Sequence, residues 1–359
     1  MDLMPIEHIP DWEKRLERQD AFWAGEIIDR PVVIITLPKD NPDYPGPKEK
    51  SWDSLRDRWF DAQYKAESAL AAAMNTRYLG DALPYAYPNL GPEVFSSFFG
   101  TEMEYGERTS WSVPSLETWE EAEELEFSTD NVYWDKLVEM TDALLEVGEN
   151  KFYTGLTDLH PGGDAVAAFR DPARLAMDLI EHPEDVKEMV RRVTEAFFYV
   201  YDFFADRLLE EGQALSTWAG IVSSRRWYVP SNDFSCMISN EMFEDFFLPG
   251  IEEECRHLEA SIYHLDGPGA LQHLDSLLEV SSLNAIQWVY GAGRGPASDW
   301  LEVYHRCQDA GKGLQITMGV EELDVFMDEL SPEGLWIRLG GVESEEHAEG
   351  LLEKIEGWR

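Results

Sequence analysis

Three cysteines in 359 residues, Cys236, Cys255 and Cys307, are too few and too scattered for a disulfide scaffold or a CxxC metal or redox motif. A reducing compartment, the cytoplasm, is therefore expected. The opening stretch MDLMPIEHIPDWEKRLERQ has no apolar core behind a basic start. Nor is there any run of about 18 apolar residues, so neither a secretory leader nor a membrane span is expected. Positive charge is scarce too. Twenty-nine Lys and Arg stand against 71 Asp and Glu, a net charge of −42. Binding to nucleic acid or anionic lipid needs clustered cations, so both are excluded as partners, while a small anionic substrate in a cleft is not. GxSxG, Walker A, HExxH and the kinase signatures are missing, which argues against a nucleophile-elbow hydrolase, a P-loop enzyme and a zincin. No linker or low-complexity tract divides the chain. One domain spanning 1–359 is expected, with 1–75 as an N-terminal extension and first elements.

What is present is an apolar share of 44% and 13 tryptophans, enough for a large core and for aromatic pocket walls. Helical periodicity appears at 52–75, 131–148, 183–212, 240–258, 298–310 and 345–357. Short apolar runs alternate with these at 31–36, 152–156, 214–219, 261–264, 284–288, 314–317 and 335–339. Strand–helix alternation of this length means parallel strands joined by crossover helices. A doubly wound sheet would want a glycine-rich turn after its first strand, and LPKDNPDYPG is not one. The expected fold is therefore α/β, a (β/α)8 TIM barrel with an N-terminal helical extension.

In such a barrel the chemistry sits on the loops that leave the C-terminal ends of the strands. Five segments there carry polar residues. HLDG places His264 and Asp266 two apart, able to hold a divalent metal or to share a proton. GLTDLHPGGD supplies Asp158 and His160 as candidate acid and base, and Asp164 as the expected N-cap of the next helix. AIQW ends a buried strand in Gln287 and Trp288, and a glutamine there suggests a ligand contact. GDALPYAYPNLGP offers Asp81 and Tyr87 as substrate-binding residues. STWAGIVSSRRWYVPSNDFSC offers Trp218, Asp233, Cys236 and the paired Arg225 and Arg226, with Arg226 assigned to an anionic substrate group or a carboxylate network. His273, inside an apolar helix, is expected to be structural, and GAGRG at 291–295 to be a flexible loop.

The order of segments resembles the uroporphyrinogen decarboxylase superfamily, which includes the corrinoid-dependent methyltransferases. The resemblance is carried by DPARLAMDLIEHPEDVKEMV (171–190), a long helix ending in EEG, NDFSCMISNEMFEDFFLPGIEEECRHL, and then a strand, HLDG and a helix. It covers about residues 130 to 357, and the N-terminal third by layout only. It implies a (β/α)8 barrel, as the periodicity does. The arginine-rich N-terminal phrase of the decarboxylases has no counterpart in IIDRPVVIITLPKD, so decarboxylation of a tetrapyrrole is not expected. The methyltransferases hold zinc through His-x-Cys and a later cysteine. His264 matches the histidine, Asp266 stands at the first cysteine, and LWIRLGGVES lacks the second. The resemblance thus implies an enzyme moving a methyl group from a small donor to a corrinoid protein, with zinc or another divalent metal on His264 and Asp266, helped by Asp158, His160 or Cys236. Two alternatives stay open. One is a lyase, decarboxylase or hydrolase acting on a small polar or sugar-derived substrate. The other is a binding protein that has lost catalysis.

Overall fold

The structure, a computed structural model, describes residues 3–42 and 44–358. In chain order the elements are α1 (Trp12–Phe22), β1 (Val32–Pro38), α2 (Leu55–Trp59), α3 (Ala62–Met74), β2 (Thr76–Gly80), β3 (Tyr85–Ala86), β4 (Met103–Tyr105), β5 (Ser110–Ser112), α4 (Val132–Gly148), β6 (Tyr153–Thr154), α5 (Gly162–Arg170), α6 (Pro172–Glu181) and α7 (Pro183–Glu210). There follow β7 (Leu215–Ser216), β8 (Val222–Ser223), β9 (Trp227–Tyr228), α8 (Asn240–Phe246), α9 (Leu248–His257), β10 (Ala260–Asp266), α10 (Leu274–Leu278), β11 (Ala285–Val289), α11 (Leu301–Asp309), β12 (Gly313–Gly319), α12 (Leu323–Glu329), β13 (Leu335–Gly340) and α13 (Glu345–Glu356).

The fold is mixed α/β around a seven-stranded sheet of order β2-β1-β13-β12-β11-β10-β9. All neighbours in it are parallel except β1 and β2. From β9 onward each strand is followed by helix and then by its next neighbour, and from β10 on the strands are the four apolar runs expected at 261–264, 284–288, 314–317 and 335–339. The other expected strands are only two residues long, β3 pairing with β6 and β7 with β8. Single bonds extend them, Gly155 N–H to the Ala86 carbonyl and Leu156 N–H to that of Ser216. Among the described residues these pieces do not join the large sheet in one closed ladder. The antiparallel β7–β8 hairpin is the physical reason on one side, since it reverses the chain between two parallel strands.

Helix boundaries follow local chemistry. The expected 52–75 helix is cut at Asp61, whose extended ψ ends one turn and whose carboxylate accepts from Tyr64 N–H to cap the next. The expected 240–258 helix breaks at Phe247, because Pro249 in the first turn of α9 has no N–H to continue the ladder of α8. The 28-residue α7 buries Val186, Met189, Val190, Val193, Phe197, Val200, Tyr201, Phe204 and Leu208, a stripe at helical spacing that packs on α5 and α9. Each such side chain contributes roughly 1.5–3 kcal/mol when taken from water. No described helix is long and apolar enough to cross a membrane.

The first helix lies against the starts of the strands. Asn284, just before β11, donates to the Trp23 carbonyl, and Gln19 accepts from the Val222 N–H and the Trp336 indole. The same region corrects one expectation. Asp81 is fully buried, paired with Arg18 and Arg30, and accepts from Val33 N–H. It ties α1 to β1 and has no exposed surface, so it is a structural anion and not a substrate ligand.

Candidate metal and proton-transfer site

The residues of interest leave the C-terminal ends of their strands. His264 and Asp266 close β10, Gln287 lies late in β11, Gln315 lies in β12, and Asp233 sits on a short turn after β9. Parallel register sets His264 beside Gln287 and Gln287 beside Gln315. Register partners share a face, so the three side chains form one row.

That row fixes the tautomer of His264. The Ala219 carbonyl can only accept, and Gln315 donates its Nε2–H to it at 2.8 Å. The Gln315 Oε1 therefore faces outward and accepts from Gln287 Nε2. This leaves Gln287 Oε1 against His264 Nδ1. Nδ1 must carry a hydrogen, so in the neutral imidazole the lone pair is on Nε2. Nε2 lies 4.0 Å from Asp233 Oδ1. The ligand atoms of Asp233, His264 and Asp266 all lie within 4.8 Å of one another. An imidazole oriented through its far nitrogen, facing two carboxylates, is the arrangement metal-binding histidines commonly adopt. Trp218 packs edge-on against the same imidazole, 4.9 Å between centroids, and restricts its tilt.

Asp233 is positioned by Asp164, whose two oxygens accept from the N–H groups of Asp233 (3.0 Å) and Phe234 (2.9 Å). Asp164 therefore staples one loop to another; it is not the expected helix cap. Partial burial and the nearby Asp164 carboxylate raise the proton affinity of Asp233. Such crowding of like charge is what a bound cation would relieve. Cys236 does not join the cluster. Its thiol is pushed up by burial and by the same carboxylates, so it stays protonated.

His160 plays a different part. Its Nε2 meets Asp158 Oδ1 at 3.0 Å, and its Nδ1 faces Ser231 Oγ (3.2 Å) and Asp164 Oδ2 (3.4 Å). Burial alone would lower its pKa, but the two carboxylates outweigh it and hold the ring well above the usual value. With both nitrogens facing oxygen and a proton on each, it is an imidazolium, suited to giving a proton and not to ligating. Its group with Asp164 and Asp233 lies against a cleft of about 500 Å³ walled by Trp111, Phe234 and Met237.

Of the remaining expectations, Tyr87 lies near this centre, its hydroxyl held protonated by burial and by the Asp158 charge. Gln287 and Trp288 both border a second cleft of about 340 Å³ with Gln315 and Thr317. Strand alternation, however, turns the Trp288 ring away from the His264 row and onto Trp300, so it shapes the wall without meeting the cluster. Arg226 precedes β9, at the opposite end of the strand from the site, and is bound by Asp202 and Asp206. It is the carboxylate network and not an anion ligand. His273 is structural as expected, bonded to the Ser235 carbonyl and Asn240 and stacked on Phe243.

The sequence reading passed over Gln315 and Glu254. The glutamine was visible as a polar residue in a strand. Glu254 looked like one acid of a solvated run, yet Ile251, Cys255 and Leu258 set it on a buried stripe at helical spacing. Burial, with Asp164 nearby, pushes its carboxyl up to about 8. An unfolded glutamate releases its proton near pH 4.5, so between about pH 4.5 and 8 the folded form alone holds it. Stability from this residue is full below that window and falls as pH rises through it, by several kcal/mol (roughly 1.4 per unit). Urea unfolding at pH 5 and pH 8 should show this loss in the wild type, and Glu254→Gln should flatten it.

A second expectation concerns the amide row. Gln287→Leu removes the acceptor that orients His264 without touching a ligand atom. Affinity for a divalent cation should drop about 10–100-fold, as measured by chelator competition.

No protein-family model matches the chain, and no curated protein matches it. Among solved structures it is similar to a methyltransferase from Methanosarcina mazei, with TM-score 0.56 and 13% identity, over 95% of this chain and 98% of that one. At that identity the likeness is one of fold. A mandelate racemase/muconate lactonizing enzyme from Jannaschia sp. CCS1 aligns with TM-score 0.34 and 14% identity, over 94% of this chain and 62% of that one, too remote to carry an argument.

Proposed function

We propose that the chain is a metal-assisted enzyme that takes a methyl group from a small donor and passes it to a corrinoid protein, built as one (β/α)8 unit of the uroporphyrinogen decarboxylase superfamily. The observation that carries the metal reading is the amide-oriented imidazole of His264 facing Asp233 and Asp266. The fold likeness to a methyltransferase supports the reaction class. His264, Asp233 and Asp266 would hold the cation, and such an ion supplies Lewis-acid polarisation of a bound oxygen or nitrogen. One nitrogen and two carboxylates make a harder donor set than thiolates. It suits zinc, manganese or ferrous iron and favours an oxygen- or nitrogen-linked methyl donor over a thiol. Trp218 shields one side of the site from water, and the His160 imidazolium stands ready to protonate the group the methyl leaves.

A second reading rests on His160 itself. An imidazolium between Asp158 and Asp164, beside a cleft, also fits acid–base chemistry in a lyase or hydrolase. Assaying the metal-loaded protein with a panel of methylated ethers and amines, using free cob(I)alamin as acceptor, separates the two. Methyl transfer supports the first. Donor consumption without cobalamin alkylation supports the second. No turnover, with metal retained, would remove the methyl-transfer reading.

A further inference from the structure

Acids are so abundant here that interior arginines readily find one. Arg18 and Arg30 meet Asp81, and Arg170 meets Asp178. Arg338 does not. It is half-buried late in β13, and no carboxylate or hydrogen-bond acceptor among the described residues pairs with it. Its guanidinium lies 5.5 Å from the Trp336 ring centroid, two residues earlier on the same face of the strand.

Its head group packs against a glycine turn. Gly220, at φ +82°, follows the Trp218 turn, and a Cβ there would sit 2.4 Å from Arg338 Nη2 and 2.8 Å from Tyr85 Oη. The guanidinium and the phenol thus both pack against the bare Cα of Gly220, where a side chain would collide with them, and this glycine lets the two donors come side by side. Register places Arg338 beside Thr317, which with Gln287 and Gln315 borders the second cleft. Arg338 is three strands from His264 in the same sheet, about 14 Å along it at the usual strand spacing, and both belong to the C-terminal halves of their strands. A charge held partly out of water without a counter-charge is costly unless a ligand supplies one.

We infer that Arg338, with the Tyr85 hydroxyl, is an anion subsite for a carboxylate carried by the small substrate of the metal site. The planar fork of five N–H donors matches a carboxylate bidentately, and the phenol adds one donor. The inference rests on the proposed metal site for the substrate's reacting end, and its test is read separately from that site. In a chain this acidic, one unpaired interior cation also selects against uncharged analogues, because they leave it without a partner.

The test uses succinate, acetate, inorganic phosphate and methylammonium as probes in calorimetric titration and thermal melts, with metal content measured in parallel. Wild type should bind succinate or acetate. Arg338→Gln should weaken that binding at least about tenfold and leave metal content unchanged. Tyr85→Phe should weaken it less. His264→Ala should lose metal and keep the carboxylate. Without probe, Arg338→Gln should melt within about 1–2 °C of wild type, since it breaks no ion pair and loses only the contact with the Trp336 ring. Any of four results would overturn the inference: equal affinity in Arg338→Gln, binding of phosphate but not carboxylates, loss of carboxylate binding in His264→Ala, or a probe-free melt several degrees lower in Arg338→Gln. If metal content is normal and carboxylates fail, this subsite alone is wrong; if His264→Ala keeps its metal, the metal reading alone is wrong.

Discussion

His264→Ala is expected to abolish retention of a divalent cation, while the wild type holds about one equivalent after gel filtration. The expectation follows from the row of amides. The Ala219 carbonyl, Gln315 and Gln287 leave the neutral imidazole one tautomer, with Nε2 toward Asp233 and Asp266. Replacing His264 removes the single nitrogen donor and leaves two carboxylates, both exposed. Asp233→Asn should come close to the same loss, because Asp233 is the acid that Asp164 pins in place. Cys236→Ser should change nothing. Because a ligand that binds only the folded state stabilises it by mass action, wild type should gain roughly 2.7 kcal/mol at a cation concentration a hundredfold over its dissociation constant. His264→Ala should gain none. Elemental analysis and thermal melts with and without chelator check both statements. A wild type that keeps no cation under any loading condition would remove the metal from the reading and leave His160 as the centre of the chemistry.

The largest effect on stability should come from Asp81, far from that chemistry. Asp81→Asn leaves Arg18 and Arg30 buried against a neutral amide, and it weakens the bond from Val33 N–H. Breaking one side of a buried ion network costs about 3–5 kcal/mol, because the charges left behind stay desolvated. Native domains are held by about 5–15 kcal/mol, so this is a large share. Urea denaturation should show a lower midpoint with an unchanged slope. The folded fraction should retain its cation as wild type does. A loss of cation at full stability would mean that Asp81 belongs to the site after all.

Much of the scaffold could be read from residue order. From β10 to α13 the four strands and the helices α11 and α13 lie within a few residues of the apolar runs and amphipathic stretches that announce them, whereas β9 and α12 went unread. The N-terminal half was harder. Apart from β1, which the run at 31–36 announces, and β2, its strands are two- or three-residue contacts set in long loops, and so short a strand has no period to detect. The hairpin at 215–223 had no signature either, because its turn is shaped by Gly220 approaching Arg338 and Tyr85. Helix breaks at Asp61 and Pro249 were legible in principle from capping and proline chemistry, and apolar periodicity running through them hid them.

The site divides in the same way. His264 and Asp266 stood out because they end an apolar strand, and Gln287 because a core has little use for an amide. By itself the sequence determined the charge balance, the succession of strands and helices, and which loops carry polar groups, since these depend on neighbours in the chain. Only the tertiary structure decided that Asp233 rather than Cys236 completes the cluster. It also showed that Asp81 and Arg226 are consumed by structural ion pairs, that His160 is a charged partner of two acids, and that Arg338 has none among the described residues. Those outcomes depend on side chains tens to hundreds of residues apart meeting within a few ångströms. Whether a charged group is spent or free is fixed by what it meets there, which residue order does not specify.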